Sequence, residues 1–152
     1  MKTPPDELVV IEGGQRIVRA HPEMYFPRGV IAHELVGGLV QEALCLGATD
    51  IGVVALHGWL AVGADIDWFH AGRFQAGVDD IFDRILAFPE LGQNTMRFEV
   101  LIAVAAADTI TLTPSSRRVV SGACDVIDDF ATLLNERRWK RLVAFRINSA
   151  PN

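Results

Sequence analysis

The chain has 152 residues, half of them apolar, and a net charge of −5. One domain of this length buries roughly 70% of its unfolded surface; the apolar share excludes a disordered chain, and the negative balance excludes a general nucleic-acid binder, which needs a basic face. No charge-free apolar run reaches the roughly 18 residues of a membrane span, and "MKTPPDELVV" has prolines and acids where a leader would be apolar, so a cytoplasmic protein with no membrane contact is expected.

Residues 1–7 read as a tail, and "LVVIE" (8–12) as a strand or the start of a helix, closed by Gly13 and Gly14. Pro22 stops any helix before it. Apolar positions 31, 35, 39 and 36, 40, 44 predict a largely buried helix over 29–46, capped by Gly47. "DIGVVAL" (50–56) and "WLAVGAD" (59–65) predict a hairpin about His57 and Gly58. Apolar 78, 81, 82, 85 and 86 predict an amphipathic helix over 78–88, ended by Pro89. A buried helix is expected over 96–107, then strands at 109–113 and 117–121 joined through Pro114, Ser115 and Ser116. A helix over 124–137, a strand over 141–147 and a tail from 148 to 152 close the chain. This order predicts an α+β two-layer sandwich: a mixed, mostly antiparallel sheet with helices on one face.

Arg137, Arg138, Lys140 and Arg141 form the one basic cluster, expected at a solvated helix end that they suit through the helix dipole. Cys45 and Cys124 match no zinc spacing and are expected as two buried free thiols. Asp65, Asp67 and His70 have the types of metal ligands, but three candidates on one irregular loop are a thin basis, and no metal is expected. No serine or cysteine lies near a histidine in a triad-like motif, so nucleophilic hydrolysis has no support.

"VRAHPEMYF" resembles the Arg-Pro-Gly-Met-Tyr-Ile loop of the DNA gyrase B-subunit ATPase domain, a member of the Bergerat-fold ATPases. The next segment resembles that domain's first catalytic helix. There the helix reads Glu-Val-Val-Asp-Asn-x-x-Asp-Glu-Ala-Leu; here it reads Glu34-Leu35-Val36-Gly37-Gly38-Leu39-Val40-Gln41-Glu42-Ala43-Leu44, without a gap. The resemblance covers roughly residues 15–120. It implies that Glu34 stands where the family has its general base and Gly38 where the family has the asparagine that ligates Mg²⁺. Glycine offers a metal nothing.

The family's adenine-binding Asp-x-Gly-x-Gly motif falls at Ala64-Asp65-Ile66-Asp67-Trp68, which lacks both glycines. Its glycine-rich lid falls at "LGQNTMRFEV" (91–100), with Gly92 alone. The resemblance thus implies a gyrase-B-like domain whose contacts to Mg²⁺, phosphates and adenine are each degraded. The expected function is binding or protein interaction without ATP hydrolysis, with a protein partner or a second copy of the chain, and with no cofactor. One alternative is an ATP-binding protein or ATPase with a remodelled site using Glu34 and Asp65. Another is a small-molecule carrier in the former pocket. Gly38, Asp65, Asp67 and Met24 are the candidate pocket residues, with the choice between Asp65 and Asp67 open. Trp59, Trp68, Phe69 and Phe74 cluster around the former adenine motif and are expected to fill the vacated pocket, or else to form a new apolar ligand site or a protein-docking patch.

Overall fold

The computed structural model describes residues 13–73 and 77–148. The strand-or-helix reading of 8–12, most of both expected tails and Phe74 lie outside the described residues.

The protein is α+β, with a five-stranded antiparallel open sheet and six helices among the described residues. The strands are β1 (Ile51–Leu56), β2 (Trp59–Ala64), β3 (Asp108–Thr113), β4 (Ser116–Ser121) and β5 (Arg141–Arg146), in the spatial order β1-β2-β5-β3-β4. The β1–β2 hairpin closes through His57 and Gly58, both at positive φ (52° and 83°). A two-residue turn of this hand matches the twist of the strands it joins. The last strand of the chain, β5, inserts at the centre, between β2 and β3, and is buried along most of its length.

Side chains on a strand alternate between the faces of its sheet, and both faces are apolar here. Val62, Ala64, Val143 and Phe145 point to one face, against a core that includes Val18, Leu39, Phe82 and Ile102. These come from α1 (Gly14–Ala20), α3 (Ala32–Cys45), α4 (Val78–Asp83) and α5 (Glu99–Ala105), the helical layer of a two-layer sandwich. Ala61, Ile110, Leu112, Leu142 and Ala144 point to the other face. There they meet Phe130 and Leu134 of α6 (Ile127–Arg137), so α6 shields part of the second face.

Two helices are shorter than their periodicity predicts. At Arg84 the backbone turns extended (φ −118°, ψ 148°), and 86–88 then pairs with 95–97. Ala87 bridges Met96, Phe88 N–H donates to the Thr95 carbonyl at 3.0 Å, and Arg97 N–H donates to the Leu86 carbonyl at 2.9 Å. This pairing removes 84–88 from one helix and Met96 and Arg97 from the other. Its reward is burial of Phe88 and Arg97, with the guanidinium 5.3 Å from the Phe88 ring centre.

Candidate functional site

Glu34 and Gly38 share one wall of a groove of about 570 Å³. The helix α3 presents Glu34, Gly37, Gly38, Gln41 and Leu44 to it; the loop from Tyr25 to Ile31 forms a second wall, and Phe98 and Leu101 a third. The walls are mainly apolar, and Leu44 is 58% exposed. Its polar groups include Gln41 and an ion pair between Arg28 and Glu34. Glu34 lies in the first turn of α3, where a carboxylate also faces the positive end of the helix dipole.

The glycine pair is explained by packing on one side only. A Cβ at Gly38 would overlap the Phe98 ring, whereas one at Gly37 would meet open space. Phe98 therefore lies directly on the α3 backbone, at the position the resemblance assigns to the Mg²⁺ ligand.

Asp65, Asp67 and Met24 are not in the groove lining. Asp65 accepts from the Thr49 hydroxyl at 2.5 Å and from the Thr49 N–H at 3.0 Å; the hydroxyl, first, and the backbone donors hold its carboxyl below the usual range. Asp67 is turned towards β5. It accepts a two-pronged bond from Arg141, at 2.9 Å from Nε and 3.0 Å from a terminal nitrogen, and also caps the Phe69 N–H at 3.2 Å. So of the two acids left open by the sequence, one ties the open end of the β1–β2 hairpin to Thr49 and the other holds a buried arginine. Met24, on the short helix α2 (Pro22–Tyr25), is 67% exposed.

Arg141 departs from the solvated helix end expected of the basic cluster. It is buried on β5, 4.0 Å from the Phe69 ring centre. Cys45 departs likewise: it is exposed, and Cys124 is half-buried, both as free thiols. The spacing of Asp65, Asp67 and His70 does not become a metal cluster; among the described residues no three His, Cys, Asp or Glu side chains gather to hold an ion. The aromatic group divides between the two faces. Trp59 packs edge-on to Phe130 at 6.0 Å, while Trp68 and Phe69 are buried on the other side, edge-on at 5.7 Å.

Behind the groove lies a buried ionic cluster that the sequence reading missed. Arg97 stands between Glu42 of α3 and Glu99 of α5, in ion pairs with both. Its guanidinium also donates to the Trp68 carbonyl at 3.2 Å, and the Trp68 indole N–H donates to Glu99 at 3.1 Å. Two carboxylates share one cation, so burial, and then the neighbouring Glu99, push the Glu42 carboxyl well above its usual range. The available signal was Glu42 itself, three residues after Leu39 on the apolar stripe of the helix.

No family model, curated protein or solved structure matches the chain. Among the described residues, no helix is long and apolar enough to cross a membrane.

Proposed function

We propose that the chain is a binding module on a degenerate gyrase-B-like plan, which takes an apolar segment of a protein partner in the groove over Gly37 and Gly38 and does not hydrolyse ATP. A cytoplasmic location belongs to the same proposal. The supporting observation is the position of Arg97. It fills the gap between α3 and the 65–68 segment, tied to Glu42 on one side and to the Trp68 carbonyl on the other. In the plan implied by the resemblance, a nucleotide would lie there, with its phosphates near Glu34 and its adenine near Asp65. What remains open is the outer groove, whose apolar walls and single ion pair suit a partly apolar segment better than a triphosphate.

The carrier reading draws on a different observation. The 570 Å³ of the groove falls within the roughly 300–1,000 Å³ common to small-molecule pockets.

Calorimetric titration with ATP and ADP, with and without Mg²⁺, tests the main reading. We expect no saturable heat at millimolar nucleotide. Saturable binding weakened by Glu34→Ala or Asp65→Asn would overturn the proposal and restore a nucleotide function. Peptides selected on the full chain should lose binding when Leu44→Asp places a charge in the groove wall. Peptide binding indifferent to that change would remove the groove from the proposal.

A further inference from the structure

Among the described residues β1 is an edge of the sheet, with β2 as its paired neighbour. Next to a two-residue turn the closing pair, here Leu56 with Trp59, is hydrogen-bonded, and bonded and non-bonded pairs then alternate along the strands. Gly52, Val54 and Leu56 therefore bond to β2. The Asp65 N–H bond to the Asp50 carbonyl, at 3.0 Å, continues this even-numbered series. The backbone groups of Ile51, Val53 and Ala55 point away from the sheet, and among the described residues they have no backbone partner.

The two edges are protected differently. A row of unpaired N–H and C=O groups templates another strand unless charge, proline or a covering element prevents it. β4 carries Arg117 and Arg118, paired with Asp128 and Asp79. β1 carries neither charge nor proline from Ile51 to Leu56, and Val53 at its middle is 52% exposed.

We infer that β1 pairs antiparallel with β1 of a second copy of this chain, about a two-fold axis that passes midway between the two Val53 residues. The axis must stand normal to the sheet, because only that rotation reverses the strand and keeps each face on its own side. Residues of like parity then meet. Val53 lies opposite its own copy, Ile51 opposite Ala55, and Gly52 opposite Val54. Each outward-facing residue joins a bonded pair, each pair exchanges two hydrogen bonds, and no outward group of the strand is left over.

The symmetry also explains the composition. A charged residue in β1 would face a like charge, or an apolar residue, across the axis, and β1 has none, whereas β4 would bring the cations Arg117 and Arg118 to the seam if it paired in this way. The side chains meet apolar on apolar: Val53 and Ile51 on the α3 face, Val54 against Gly52 on the α6 face. Such an isologous interface closes on itself, so it blocks an edge that would otherwise template open-ended growth. The inference does not rest on the groove, whose lining includes no β1 residue.

Sedimentation equilibrium and amide hydrogen exchange on the full chain test it. A dimer is expected at sub-millimolar concentration, with the Ile51, Val53 and Ala55 amides protected in the dimer and exchanging freely on dilution. The Gly52, Val54 and Leu56 amides should be protected in both states. Val53→Lys, which sets two cations against each other at the axis, should return the chain to monomer with its circular dichroism unchanged. A chain that stays monomeric, a dimer that survives Val53→Lys, or free exchange at Ile51, Val53 and Ala55 within a dimer would each overturn the inference. The exchange measurement needs no variant, so it decides the matter even if Val53→Lys fails to fold.

Discussion

Gly37 and Gly38 are neighbours on α3 with different surroundings. Replacing a helical glycine by alanine gains about 1 kcal/mol from the backbone. At Gly37 nothing opposes that gain, because the added Cβ meets open space; Gly37→Ala should stabilise the protein by up to about 1 kcal/mol. At Gly38 the same methyl overlaps the Phe98 ring. Overpacking costs about 1–3 kcal/mol, so Gly38→Ala should destabilise on balance, and Phe98→Leu in the same chain should recover part of the loss. Urea unfolding of the two single variants checks this: effects of the same sign would contradict the packing described here. The sequence shows that both glycines are unusual in a helix, but not which is crowded. The distinction depends on Phe98, sixty residues away in the chain.

α3 and α5 are joined through charge as well as apolar contact. The cation of Arg97 lies between Glu42 and Glu99, and all three side chains are buried. Removing one member of such a set leaves an uncompensated charge in a low dielectric, at a cost of about 3–5 kcal/mol. Arg97→Leu should cost that much in chemical denaturation, or leave the chain unfolded. Adding Glu42→Gln should return part of it; a double variant no more stable than Arg97→Leu would show that the carboxylate is not the source of the cost. α3 and the β1–β2 hairpin were legible in the sequence, since their periodicities of 3.6 and 2 survive in the fold. The ends of α4 and α5 were not. Helical spacing continues past Arg84, but the backbone leaves it to pair 86–88 with 95–97, and a pairing between segments competes with local preference without marking either one.

At the scale of the whole molecule, two sets of carboxylates give stability opposite dependences on pH. Asp65 and Asp108 sit below their usual range; the stability they contribute is present above the ordinary carboxylate pKa and lost as pH falls through their lowered values. Glu42 is the reverse. Its raised carboxyl binds a proton more tightly folded than unfolded, so its contribution is complete below the ordinary carboxylate pKa and is lost as pH rises through the raised value. The groups facing it are Arg97 and Glu99. Glu42→Gln removes this titration, so the variant should gain on the parent steadily as pH rises from the acid side. Urea unfolding across a pH series measures the difference, and a difference independent of pH would rule out the raised carboxyl.

By itself the sequence determined the α+β class, the order of most elements and the acid–glycine pattern of α3, because these depend on spacing within short windows. Only the tertiary structure decided where the acids point. Asp67 meets Arg141 across 74 positions of chain, and Asp65 meets Thr49 across 16, so neither joins Glu34 in one cavity. It also decided which sheet edge is left open, since β1 and β4 become edges only when β5, the last strand of the chain, enters between β2 and β3. Local preference acts over a few residues, whereas a site and an edge are made by segments brought together from a distance, and their positions follow from the packing of the whole chain.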